Sequence, residues 1–317
     1  MTIGSHLQVL HGLPAFDFPG ADAKAGELPD PASVAWRIAV EAYESEEAWE
    51  DAFARFTAAV DTTRVRALIV GAWSDAYESG PGEVVSALLA ARDRLPELRA
   101  LFVGDITGEE CEISWINQGD VTPLLDGFPE LEEFGVRGGM GLAFGAARHD
   151  RLRTLVIESG GLPAEVVRGV AACELPSLES LDLWLGTSGY GGDAELTDLG
   201  PFLAGTRLPV LRRLALRNSE IQDEIAAALA AAPVVARLDV LDLSMGTLGD
   251  QGAAALLEGQ PLTHLKELDL HHHFIDAPMA ERIRRALEPS GVTVNLDDVQ
   301  ESWDDDGDDG RFTAVAE

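Results

Sequence analysis

One short phrase returns four times in the second half of the chain: LESLDL at 178–183, LRRLAL at 211–216, LDVLDL at 238–243 and LKELDL at 265–270. Leucine holds positions one, four and six in each copy, and the first leucines follow one another at intervals of 33, 27 and 27 residues. Positions four and six fall on one side of an extended strand, because strand side chains alternate with a period of two. A helix would not carry a buried stripe with that spacing over many turns. A strand returning every 20–50 residues, roughly, marks a solenoid, in which each unit buries its apolar face against the next.

Earlier segments keep the same register. VAWRIAVE at 34–41 puts Ala35, Ile38 and Val40 at positions one, four and six, and VRALIV (65–70), LRALFV (98–103), LEEFGV (131–136) and LRTLVI (152–157) continue it. Helical spacing fills several of the gaps. Trp49, Phe53, Phe56 and Val60 form one apolar side, with Ser45 as its candidate cap. Val84, Val85, Leu88 and Leu89 form another; Val166, Val167 and Val170 follow Pro163; Ile221, Ile225 and Leu229, then Leu248, Ala253 and Leu257, form the last clear ones. Residues 112–130 are longer and more mixed, with a short helix only near Val121–Leu125. Trp115, Asn117 and Gln118 there make either a local binding surface or loop packing. Only 21 residues separate Leu131 from Leu152, and Gly138–Gly139–Met140–Gly141 predicts a tight connection and an abbreviated unit.

These phrases resemble the leucine-rich-repeat family, whose unit reads LxxLxLxx(N/C)xL, and the strand–loop–helix units resemble its ribonuclease-inhibitor-like branch. The chain is also similar to leucine-rich-repeat proteins of actinobacteria. The resemblance covers roughly 34–296 and is strongest over 178–270. It implies an α/β horseshoe with parallel inner strands and outer helices. The chain departs from the pattern at position nine, where Ser219, Gly246 and His273 replace the Asn or Cys that satisfies backbone groups at the turn. Three parts are expected: an N-terminal cap or extension (1–33), the solenoid (34–296) and an acidic flexible tail (297–317). Eight acidic residues in 297–309 repel one another, so most of that tail is expected to be loosely attached, with Trp303 capping the last repeat or anchoring a partner.

Charge limits the partners. With 23 Lys plus Arg against 55 Asp plus Glu, the formal charge is −32. Nucleic acid and anionic membrane are repelled at long range, and a basic protein or peptide is attracted. No apolar run approaches the ~18 residues of a membrane span. The start, MTIGSHLQVLHGLPAF, lacks a basic leader and a long apolar stretch, and reads poorly as a signal peptide. Two cysteines, Cys111 and Cys173, set no disulfide framework and suit a reducing, cytoplasmic setting.

The resemblance implies that side chains flanking the core leucines face the inner, concave side. Position five then gives Asp182, Ala215, Asp242, Asp269 and, by approximate register, Asn295; position seven gives Trp184, Arg217, Ser244, His271 and Asp297. Neighbouring strands lie about 4.8 Å apart, so equal positions share a partner. The expected partner-binding set is Asp182, Trp184, Arg217, Asp242, Asp269 and His271, joined by Tyr190 of the 186–200 rim loop. No catalytic set, metal site or cofactor is expected. GxSxG, CxxC and HExxH patterns are all missing, and the Gly138–Gly141 run is not a phosphate-binding loop. The HHH run at 271–273 alternates in direction along a regular strand, so its three rings do not converge on one ion. The expected function is recognition of a protein or peptide by the concave face and rim loop. The alternatives are a metal-assisted hydrolase using Asp242, Asp269 and His271, or a structural subunit of an obligate complex.

Overall fold

Each leucine phrase becomes a strand of one sheet. The structure, a computed structural model, describes residues 3–23, 26–303 and 310–317. Twelve strands among the described residues pair in chain order: β1 (Val9–Leu10), β2 (Leu13–Asp17), β3 (Ala35–Ile38), β4 (Ala67–Val70), β5 (Ala100–Val103), β6 (Glu133–Arg137), β7 (Thr154–Glu158), β8 (Ser180–Gly186), β9 (Arg213–Ser219), β10 (Val240–Asp242), β11 (Glu267–Asp269) and β12 (Thr293–Asn295). β1 and β2 form an antiparallel hairpin, and every later pairing is parallel. The hairpin lies within the 1–33 segment, and its second strand already extends the parallel ladder through Phe16 opposite Trp36.

A parallel pair needs a crossover. Here the crossovers carry α1 (Trp49–Ala59), α2 (Gly82–Ala90), α3 (Thr122–Gly127), α4 (Ala164–Ala172), α5 (Leu196–Ala204), α6 (Gln222–Leu229), α7 (Asp250–Glu258) and α8 (Ala277–Leu287). Their apolar sides cover the outer face of the sheet. Leu181, Leu214, Leu241 and Leu268 stand in one register column and are at most 1% exposed. Burying one such side chain contributes about 1.5–3 kcal/mol, and stacking extends the same core along the solenoid. Trp49, Phe53, Phe56 and Val60 point into it as the spacing predicts. Ser45 does not cap α1: Ala48 takes that place, and the Ser45 hydroxyl donates instead to the Glu47 carbonyl.

Between β6 and β7 there is no helix, as the 21-residue interval implies. Gly138 and Gly141 turn the chain with positive φ, and Leu142 and Phe144 fill the space that a helix would occupy. Helix α4 packs so closely on this loop that Gly169 lies against the Phe144 carbonyl with no room for a Cβ.

Turns after the later strands are made differently from the family pattern. At position eight Asn218, Met245 and His272 adopt positive φ and end the strands. At position nine, buried His273 takes over the backbone-satisfying role: Nδ1 accepts from the Ile275 N–H at 3.0 Å and Nε2 donates to the Leu296 carbonyl at 3.3 Å. His149 repeats the device between Leu152 N–H and the Phe128 carbonyl. Burial lowers the His273 pKa, in keeping with that neutral tautomer.

Within the tail, residues 310–317 run back over the strand ends as a strap. Thr313, Ala314 and Val315 are each 5% exposed. Trp303 does not cap the last repeat; it is 72% exposed, with its ring edge-on to Phe312 at 6.2 Å. The expected acidic run 304–309 lies outside the described residues.

Candidate functional site

The inner face is the register column read from the sequence. Arg37, Ile69, Phe102, Gly135, Val156, Asp182, Ala215, Asp242, Asp269 and Asn295 follow one another across the sheet from β3 to β12. Two residues further along the strands, Arg137 stands opposite Glu158 and Trp184 opposite Arg217. Two different environments result. Over β3–β5 the inner face is apolar apart from Arg37: Ala35, Ala67, Ile69, Ala100 and Phe102 pack under Leu7, Leu10 and Leu13 of the N-terminal segment. From β6 onward it carries charge.

The charges are paired with one another. Arg217 donates to both carboxylate oxygens of Asp182, at 2.9 and 2.8 Å, and its guanidinium lies 4.9 Å from the Trp184 ring centre. Asp242, 1% exposed, accepts from the Ser244 N–H and hydroxyl on one oxygen and from Arg213 at 2.7 Å on the other. Burial pulls the Arg217 pKa down, but Asp182 and Asp242 more than reverse this, so the guanidinium stays charged. Asp269 accepts from the ring Nδ1–H of His271 at 2.8 Å. That bond outweighs burial and raises the His271 pKa. Burial pushes the Asp269 carboxyl up, yet the hydrogen bonds from His271 bring its pKa below the usual value.

A second buried network lies closer to the N-terminal end. Asp105, fully buried, accepts from Arg37 at 2.7 Å, from Arg137 at 3.2 Å and from the Leu7 N–H at 3.0 Å. Arg137 also donates to Glu158 at 2.6 Å and stacks over Phe102. The adjoining Gly135 leaves the space that the Phe102 ring fills.

Above these side chains sits the strap. Arg311 donates to Asp223 at 2.9 Å and to the Thr247 carbonyl at 2.7 Å. The Phe312 ring meets His272 and Phe274 edge-on, and the ring Nε2 of His272 lies 3.1 Å from the Phe312 carbonyl. Ala314 N–H donates to the Met245 carbonyl at 2.8 Å. Asn218 accepts from Val315 N–H at 3.0 Å and donates to its carbonyl at 2.6 Å. Ser114 donates to the Ala316 carbonyl, and Tyr190 bonds the Glu317 carboxylate. Ala314 and Val315 cluster with Ile113, Trp184, Met245 and Ile3, so the two terminal segments meet over the groove.

The expected partner-binding residues are therefore brought together, but in four states. Asp182, Trp184 and Asp242 are buried; Arg217 is half-buried and paired; Tyr190 reaches the site only through the strap. Asp269 and His271 remain half-exposed on the inner face. The three adjacent histidines diverge: His271 faces inward to Asp269, His272 lies under the strap, and His273 is in the core. Among the described residues no group of three or more His, Cys, Asp or Glu is placed to hold a metal ion. Trp115 is 48% exposed, while Asn117 donates to the Tyr77 carbonyl and Gln118 to the Arg137 carbonyl. The rim loop is shorter than 186–200, since α5 begins at Leu196 with the Glu195 N–H held by Asp198.

The sequence reading missed Asn218, Asp223, Ser114 and His272, which grip the strap, and Asp105, which anchors the arginines. Asn218 had a signal: a polar side chain at position eight, beside the inner-face positions. His272 and Asp105 stand at the same position eight, whereas Asp223 lies in the first turn of α6 and Ser114 in the irregular segment before α3.

A family model described as Leucine Rich repeat matches residues 207–230 and 238–257, the β9–α6 and β10–α7 units. The fold is a leucine-rich-repeat solenoid. A crystal structure of a Bacteroides fragilis protein is similar to it with a TM-score of 0.77 and 26% identity, over 84% of this chain and 73% of that one. An internalin from Listeria monocytogenes is 16% identical over 75% of this chain and 82% of that one, with a TM-score of 0.31. A leucine-rich-repeat protein of Leptospira interrogans is 14% identical over 76% and 51%, with a TM-score of 0.34. No curated protein matches the sequence. No helix among the described residues of this solenoid is long and apolar enough to cross a membrane.

Proposed function

We propose that this leucine-rich-repeat solenoid is a recognition module that binds a protein or peptide on its concave face, next to the strand ends. The observation that carries this reading is the strap. A segment that bends at Ala314 lies over Trp184, held by groups from several different repeats. A groove that satisfies the backbone of a non-helical segment in this way has the chemistry needed to read another chain. Arg213, Asp269 and His271 form the half-open border of the same face, and the net charge of −32 favours a partner with basic character over nucleic acid or anionic lipid. The strand–loop–helix units support a ribonuclease-inhibitor-like repeat type, with Tyr190 at the rim. A hydrolase centred on Asp242 is not favoured, because its oxygens are engaged by Arg213 and Ser244.

The test is capture of native partners on the immobilised full chain and on an Arg213→Ala/His271→Ala variant. Partners retained by the parent chain should be lost from the variant while circular dichroism is unchanged. An identical set of captured proteins would place recognition away from the concave face.

A further inference from the structure

We infer that the strap is an exchangeable occupant, and that the groove takes a peptide segment of a partner protein with an Arg–aromatic–x–small–aliphatic pattern. This deepens the concave-face reading and rests on it.

The groove reads the segment in two ways. Its backbone contacts are independent of sequence. Asn218 closes a two-bond pairing with Val315, the Met245 carbonyl accepts from Ala314, and Ser114 donates to the Ala316 carbonyl. Any chain that follows the same path, with a bend at the position of Ala314, offers the same N–H and C=O groups. Its side-chain contacts are selective. Asp223 takes a cation, and His272 with Phe274 takes an aromatic ring edge-on. The apolar cluster of Ile113, Trp184 and Met245 then takes small and branched side chains at the positions of Ala314 and Val315. Close backbone approach is enforced where the Ala316 carbonyl lies against Gly160, which has no room for a Cβ.

Two further features favour exchange over a purely structural seal. The strap brings a cation to a chain of net charge −32, so a basic peptide meets the same attraction. The indole N–H of Trp184 is buried beneath the strap without an acceptor. An incoming chain carrying a carbonyl or hydroxyl there gains a hydrogen bond that the strap does not make.

The experiment uses a fluorescein-labelled GRFTAVAE peptide and fluorescence anisotropy. It is titrated into the full chain, into an Ala314→Asp/Val315→Asp variant that weakens only the strap, and into that variant carrying Asn218→Ala. The strap variant should bind at least tenfold more tightly than the parent chain. Adding Asn218→Ala, or replacing the peptide arginine with glutamate, should each cost tenfold or more. A folded strap variant that ignores the peptide, or binds a scrambled one equally, overturns the inference. So does a strap-dependent dimer on gel filtration, which would make a second copy the occupant. If the strap variant does not fold, hydrogen exchange of residues 311–316 in the parent chain decides. Excess peptide should speed their exchange, and unchanged exchange at saturating peptide refutes displacement. Partner capture that still depends on Arg213 and His271 while the peptide is refused would leave the broader recognition reading standing and sink only this one.

Discussion

Asn218 holds both backbone polar groups of Val315, accepting from its N–H at 3.0 Å and donating to its carbonyl at 2.6 Å. The two residues are 97 apart in sequence, and Asn218 is placed for this by its positive φ at the end of β9. Asn218→Ala leaves two polar groups of a buried residue unpaired, at about 1–3 kcal/mol. The expected outcome is faster exchange of the 311–316 amides with α6 and α7 still protected, as read by hydrogen exchange. Asn218→Asp retains the acceptor for the N–H and should fall between the two.

Asp105 is the joint of the buried Arg37–Asp105–Arg137 network. Asp105→Ala removes the shared partner of two guanidiniums that are 7% and 4% exposed, leaving Arg37 with Asp17 and Arg137 with Glu158, a loss of about 1–3 kcal/mol. Urea denaturation should show a lower midpoint with an unchanged slope. A change below about 1 kcal/mol would mean that water reaches the arginines.

The His271–Asp269 pair fixes a direction for pH dependence. The hydrogen bond to Asp269 raises the His271 pKa, so its contribution is complete below the unfolded value near ~6.5 and fades as pH rises through the folded value above it. Asp269 has a lowered pKa, so its contribution is present above about 3.9 and is lost as pH falls through the folded value. Asp242 adds to the rise at His271 and Arg217 opposes it. Asp269→Asn should move the His271 titration, followed by NMR, to lower pH. No movement would show that the pair does not form in solution.

Both cysteines should be inert while the chain is folded. Burial pushes the Cys111 thiol up to about 11 and raises Cys173 as well, so little thiolate exists at pH 8. Neither should react with iodoacetamide over hours in buffer, and both should react in urea. Rapid labelling of the native chain would contradict this packing.

The sheet was legible because its signal is periodic. A leucine at positions four and six of each phrase must face the helices, and this also fixes which residues face inward, down to Asp182, Ala215, Asp242, Asp269 and Asn295 in one column. The site was only half legible. Register shows which way Trp184 and Arg217 point, but not that Asp182 neutralises the arginine or that Ala314 and Val315 cover the indole. The first is a side-chain pairing between neighbouring strands 35 positions apart, and the second joins residues about 130 positions apart through a segment without a repeat. The acidic composition around 297–309 obscured the short apolar run Thr313–Ala314–Val315, whose burial follows from where the strand ends place Asn218, Met245 and Trp184.

Hydrogen exchange with mass spectrometry on the full chain, resolved over residues 310–317, tests the seated strap most directly. The groove contacts predict protection of the Ala314 and Val315 amides well above that of a free peptide, abolished by Asn218→Ala. Free-peptide exchange rates at those amides in the parent chain would contradict the account.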